Sequence, residues 1–175
     1  MGGNIIFVGM PGSGKSTLGR RLAKTHSMSF VDTDELIERR FGASLQQLLN
    51  RHGYLLLREL EQQVLCSLKL QNHVISTGGS AVYGAASMEH LASLGSVVYL
   101  HISVTTLLSR VNNSDARGLA KLPQQSLPSL YRERLPLYRR WANITIDNNR
   151  PLSAWQFEEL VSQIEIGDQS RKLES

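Results

Sequence analysis

The sequence predicts an α/β fold, with a five-stranded parallel sheet covered by helices on both faces. Three observations predict it. Short apolar runs without polar alternation recur along the chain, as strands buried on both faces require. Stretches with apolar residues at helical spacing separate them, the alternation expected of a parallel sheet. The first apolar run leads straight into a glycine-rich loop that opens a helix, and ligands of such sheets gather outside the carboxyl ends of the strands.

The elements follow in order. Asn4–Val8 is the first strand, and Lys15–His26 carries Leu18, Leu22 and Ala23 on one helical side. Phe30-Val31 is a second short strand, ended by Asp32. Helix patterns run over Glu35–Arg40, Leu45–Arg51 and Leu55–Leu70, with Gly42 and Gly53 as punctuation. His73–Ser76 is the third strand, Ser87–Leu94 a helix, Ser96–Ile102 the fourth strand and Thr105–Val111 a helix. Asn112–Leu127 is polar and broken by glycine and proline, which predicts a loop. Ser129–Trp141 reads as a helix, Ile144–Ile146 as a short fifth strand and Ala154–Ile164 as the last helix, before a polar tail.

A chain of 175 residues with 41% hydrophobic content makes one domain with a real core. We expect that domain over residues 1–166, with a flexible tail at 167–175. The net charge of +4 suits an anionic ligand. Nucleic-acid binding is not expected, because it usually shows a denser basic stripe than the nearest thing here, the short cluster Arg132, Arg134, Arg139 and Arg140. The single cysteine, Cys66, sits beside Val64, Leu65 and Leu68 and reads as a buried thiol. No run reaches membrane-spanning length and no signal-peptide pattern precedes the first strand, so a cytoplasmic protein with no membrane partner is expected.

Gly9-Met10-Pro11-Gly12-Ser13-Gly14-Lys15-Ser16-Thr17 matches the Walker A pattern and lies between a strand and a helix, the context that pattern needs. Its glycines let backbone N–H groups converge on phosphate oxygens, and the helix N-terminus adds its positive dipole end. Lys15 reaches the β- and γ-phosphates and the Ser16 hydroxyl ligates Mg²⁺. This establishes a nucleotide site built from Gly12, Ser13, Gly14, Lys15, Ser16 and Thr17.

Asp32-Thr33-Asp34 ends the second strand, where carboxylates face the same crevice. One aspartate can hold Mg²⁺ through water while the other orients or deprotonates an acceptor hydroxyl. Asp34 can equally be a simple helix cap. Arg58 and Glu61 stand one turn apart, either as a surface ion pair or as an arginine held by its glutamate to grip a substrate carboxylate.

Together with Ser76-Thr77-Gly78-Gly79, Arg117 and Arg134-Leu135-Pro136-Leu137-Tyr138, these motifs in this order resemble shikimate kinase, in the nucleoside-monophosphate-kinase branch of P-loop proteins. The resemblance runs from about Asn4 to Pro151. It implies a three-layer P-loop kinase fold with a helical substrate-binding segment at about 33–61 and a lid loop at about 112–124. It also implies transfer of the ATP γ-phosphoryl group to the 3-hydroxyl of shikimate by a monomer, with Mg²⁺.

By position, the resemblance makes Lys15, Asp34 and Arg117 catalytic, Asp34 being the candidate base and Arg117 a lid residue over ATP. Ser16 and Asp32 serve the metal, and Arg110 and Pro151 flank the adenine. Arg58 and Arg134 grip the substrate carboxylate, and Gly78 and Gly79 lie against the substrate. Leu57, Ser80 and Gly118 depart from the family pattern and bear on acceptor identity. A kinase of another small carboxylate-bearing alcohol is the alternative. A nucleotide-binding regulatory protein is the other, against which no Asn-Lys-x-Asp guanine signature occurs.

Overall fold

The computed structural model describes residues 3–111, 119–122 and 124–173. Strands β1 (Asn4–Val8), β2 (Ser29–Asp32), β3 (His73–Ser76), β4 (Gly95–His101) and β5 (Ile144–Asp147) form one sheet in the order β2-β3-β1-β4-β5. Every neighbouring pair is parallel, with Ile6 opposite both Ile75 and Val97 at the centre. The helices are α1 (Lys15–Thr25), α2 (Thr33–Phe41), α3 (Leu45–Cys66), α4 (Ala85–Leu94), α5 (Val104–Arg110), α6 (Leu127–Trp141) and α7 (Ala154–Leu173), with one 3₁₀ turn at Ala81–Tyr83.

Strand alternation divides the core in two. Ile6, Val8, Ile75, Val97 and Tyr99 pack on one face against α3, α4 and α6 through Leu65, Met88, Leu91 and Leu130. Ile5, Phe7, Val74, Val98 and Leu100 pack on the other against Leu18 and Leu22 of α1 and Phe157 and Leu160 of α7. Both halves of each central strand are therefore dry, which explains why the strands read as unbroken apolar runs. A third cluster, Ile37, Leu48, Leu57, Val64 and Ala120, joins α2 to α3 and to the chain before α6.

Five expectations change. Asp32, not Asp34, caps α2: its carboxylate accepts from the Asp34 amide at 3.1 Å, so the helix starts at Thr33. The two helix patterns either side of Gly53 form one element kinked there, where the glycine backbone is left-handed (φ 78°). That element ends at Cys66 rather than Leu70, because Ser67 turns its hydroxyl back onto the Val64 carbonyl at 2.8 Å. Cys66 itself is exposed, one step round the helix from the fully buried Leu65. The last helix continues past Gly167 to Leu173, since one glycine costs a helix only about 1 kcal/mol. Among the described residues, no helix is long and apolar enough to cross a membrane.

Candidate active site

The carboxyl ends of β1, β2 and β3 open on a cleft of about 230 Å³. The loop after β1 forms one wall. Gly14 caps α1 at φ 92°, and a Cβ there would stand 2.6 Å from Asn148 Nδ2, so glycine is required by both conformation and space. Asn148 ties the loop down by donating to the Ser13 carbonyl at 2.7 Å. Lys15 is buried at 8% exposure and its ammonium donates to the carbonyls of Gly9 (3.0 Å) and Met10 (2.9 Å). Burial pulls its pKa down to about 8, against the opposing attraction of Asp34 and Asp32.

Ser16 Oγ donates to Asp32 Oδ2 at 2.7 Å and lies 3.1 Å from Ser76 Oγ. The two residues expected at the metal are thus in contact, and their oxygen-only donor set suits a hard cation such as Mg²⁺. Asp34 follows in the first turn of α2 and lines the cleft. Burial raises its pKa to about 6, Asp32 and Glu38 add to the rise, and Lys15 opposes it.

Across the cleft stand Glu61, from α3, and Arg134, from α6. Glu61 is 3% exposed and accepts a short hydrogen bond from Ser80 Oγ on Oε2. Burial pushes its pKa up to about 7, with Asp34 adding and with Ser80, Arg134 and Arg58 opposing. Burial works against the charge of Arg134, 1% exposed, but Tyr138, Tyr83 and Glu61 hold its pKa above the usual value. One guanidinium nitrogen donates to the Ala120 carbonyl at 2.9 Å and Nε to Tyr83 Oη at 3.3 Å.

Arg58 reaches the same Ala120 carbonyl at 3.1 Å, with its guanidinium 3.5 Å from the centre of the Tyr83 ring. It is half-buried and lines a neighbouring cavity of about 240 Å³ rather than the cleft itself. Glu61 turns to Ser80 instead of pairing with it by a hydrogen bond, so a surface ion pair does not describe these two residues.

Gly78 and Gly79 form the floor. The Gly78 amide donates to Thr33 Oγ1 at 3.1 Å, so this glycine supplies room rather than a hydrogen bond to a ligand. A Cβ on Gly78 would collide with Glu61 Oε1 and stand 2.7 Å from Asp34 Oδ1. At Gly79 it would stand 2.8 Å from an Arg134 nitrogen.

A second cavity, about 450 Å³, lies on the far side of the loop and is lined by Gly12, Gly14, Thr17, Arg21, Arg110 and Pro151 among others. Gly12 borders both spaces. Arg110 is fixed there by donating to the carbonyls of Asn149 (2.9 Å) and Gly12 (3.4 Å). Arg117 and Gly118 lie outside the described residues.

Sequence reasoning gave no role to Ser76 and Thr33, though both stand in its motifs, and missed Asn148 and Ala120. Ser76 ends a strand at the crevice and Thr33 sits between two aspartates, so both carried a positional signal. Ala120 and Asn148 carried none, because each acts through long-range packing.

A profile of the shikimate kinase family matches residues 11–165. The shikimate kinase of Aromatoleum aromaticum is 40% identical over 149 residues, covering 83% of this chain and 85% of that protein. That of Mycobacterium avium is 38% identical over 169 residues, covering 95% and 96%. A solved structure of shikimate kinase from Acinetobacter baumannii in complex with shikimate superposes with a TM-score of 0.80 at 35% identity, covering 98% of this chain and 95% of that one.

Proposed function

The chain belongs to the shikimate kinase family, and from that premise we propose how its residues move the ATP γ-phosphoryl group to the 3-hydroxyl of shikimate. The protein is an ATP-dependent kinase of shikimate, giving shikimate 3-phosphate and ADP. The observation that carries the acceptor reading is the convergence of Arg58 and Arg134, from two different helices, on the single carbonyl oxygen of Ala120. Two guanidinium groups that meet at one oxygen form a clamp for a carboxylate. The substrate carboxylate takes the place of that carbonyl, and its hydroxyls then lie over Gly79 toward Asp34.

Lys15 exchanges the Gly9 and Met10 carbonyls for phosphate oxygens, and the amides of Gly12 to Thr17 wrap the phosphates. The nucleoside occupies the larger cavity against Arg110 and Pro151. Ser16 and Asp32 would hold Mg²⁺, which when bound neutralises charge on the phosphates. Asp34, with a pKa of about 6, is ionised at neutral pH and takes the proton of the acceptor hydroxyl. The Gly79 amide donates to a substrate hydroxyl. Arg117 supplies positive charge to the transferring phosphoryl. In-line positioning and charge neutralisation are what this reaction needs from a protein.

The reading takes residues 1–166 as one working unit, a cytoplasmic monomer on two small molecules with no nucleic-acid or membrane partner. A coupled ADP-release assay with shikimate, with quinate and gluconate as controls, tests the reaction. Turnover confined to shikimate is expected, and equal turnover of gluconate would overturn the acceptor assignment.

A further inference from the structure

Among the described residues, neither arginine of the carboxylate clamp has a carboxylate as hydrogen-bond partner. What touches both is Tyr83. The Arg58 guanidinium stands over its ring, 3.5 Å from the centre, and that of Arg134 lies 5.3 Å from the same centre. Arg134 Nε also donates to Tyr83 Oη at 3.3 Å. The hydroxyl gives its own proton to Glu133 in a short hydrogen bond, and Gln125 donates to the other oxygen of that carboxylate. A hydroxyl has one proton, so a lone pair is left to face Arg134. The main chain of Tyr83 is fixed as well. Its amide donates to the Ser80 carbonyl at 3.0 Å, in the 3₁₀ turn that follows Gly78 and Gly79.

Two guanidinium groups that meet at one carbonyl repel each other. Arg58 Nε is buried without a hydrogen-bond partner, and the side chain borders the cavity beyond the cleft, which leaves it room to swing away. We propose that Tyr83 is the positioning residue of the clamp: its ring holds Arg58 and its hydroxyl holds Arg134, which fixes the spacing of the two guanidinium groups before the acceptor arrives. An aromatic face carries the negative part of the ring quadrupole and attracts one cation. The hydroxyl lone pair serves the other. One side chain thus offsets the repulsion between two positive groups. Tyr83 does not line the cleft, so it acts on the acceptor through the arginines. A clamp set beforehand loses less freedom when a carboxylate binds, and it brings the acceptor hydroxyl to Asp34 in a defined orientation.

The inference rests on the shikimate reaction and deepens it, and the two fail separately. Wild type, Tyr83→Phe and Tyr83→Leu are assayed with ATP and shikimate, beside Arg134→Lys, Arg58→Ala and the double variants. Tyr83→Phe keeps the ring at Arg58 but loses the acceptor of the Arg134 Nε–H, so the acceptor KM should rise roughly fivefold. Tyr83→Leu loses both holds and should raise it roughly thirtyfold. The ATP KM should stay at the wild-type value in both. Arg134→Lys has no Nε–H to hold, so adding Tyr83→Phe to it should change nothing further. Added to Arg58→Ala, Tyr83→Leu should cost no more than Tyr83→Phe costs in wild type. Action through the arginines requires this non-additivity, whereas an independent structural role multiplies the two effects. Should Tyr83→Leu melt at a much lower temperature, Tyr83→Met takes its place, and the cycle through Tyr83→Phe decides by itself. A wild-type acceptor KM in Tyr83→Leu, or effects that multiply in the double variants, overturns the role of Tyr83. A wild-type protein inactive on shikimate overturns the reaction instead.

Discussion

At the scale of single residues, burial decides the chemistry. Lys15 keeps a charge in a place that resists charge, and two backbone carbonyls accept from its ammonium where phosphate oxygens are proposed to bind. Lys15→Ala should abolish phosphoryl transfer in the ADP-release assay; measurable turnover would reject the assigned role. Asp34 must be ionised to take a proton, yet burial raises its pKa to about 6. A raised pKa means that the active form is lost on the way down in pH sooner than for an ordinary aspartate. We therefore expect kcat/KM for shikimate to fall below about pH 6, and Asp34→Asn to be inactive at every pH. Arg134 is the deeper member of the arginine pair and donates through two nitrogens at once. Arg134→Lys should raise the acceptor KM by roughly tenfold or more, because an ammonium does not reproduce a guanidinium fork. The ATP KM should stay near wild type.

At the scale of elements, the site is made by ends and turns. The turn after β3 brings Gly78 so near Glu61 and Asp34 that a Cβ there would displace both carboxyl groups. Gly78→Ala should therefore remove acceptor turnover while nucleotide binding, read by titration with a fluorescent ATP analogue, survives. Gly53 is the opposite case: nothing lies within 4 Å of a Cβ there, so only its left-handed backbone matters. Much of this was legible beforehand. The strands announced themselves because both faces are buried, and the Walker A loop because its glycines and lysine are bound to one backbone path. What escaped depends on which neighbour wins a contact. The sequence Asp32-Thr33-Asp34 offers two possible caps, and only the direction of the chain leaving β2 selects Asp32. Arg58 and Glu61 are spaced to pair, but Ser80 and Ala120, which come from elsewhere in the chain, take their hydrogen bonds. Cys66 looked buried by its neighbours in sequence, whereas the rotation of α3 turns it outward.

At the scale of the whole molecule, the carboxyl end of the sheet collects charge that the core would otherwise exclude. Asp34 and Glu61, from different helices, come together with Lys15 and Arg134 above a sheet that is dry on both faces. The folded protein therefore raises the pKa values of both carboxyl groups, to about 6 and about 7. A group whose pKa is raised by folding binds protons more readily in the native state. Its contribution is fully present below the unfolded pKa and is lost as pH rises through the folded one. Glu133, held low by Tyr83, and Asp147, held low by the Asn149 amide, act in the reverse sense, but they lie near the surface and lose their effect only in stronger acid. Lys15, lowered to about 8 by burial, also acts in the reverse sense but loses its proton only at the upper end of the range from pH 5.5 to pH 8, so the buried pair should dominate and the protein without ligands should melt at a higher temperature at pH 5.5 than at pH 8. Each kcal/mol is worth roughly 2–4 °C in a domain of this size. Glu61→Gln removes one of the two titrations and should flatten the dependence while raising the melting temperature at pH 8. Calorimetry of both proteins across that range checks the claim, and a wild-type melting temperature that climbs with pH would show that the cleft does not hold these carboxyl groups as described.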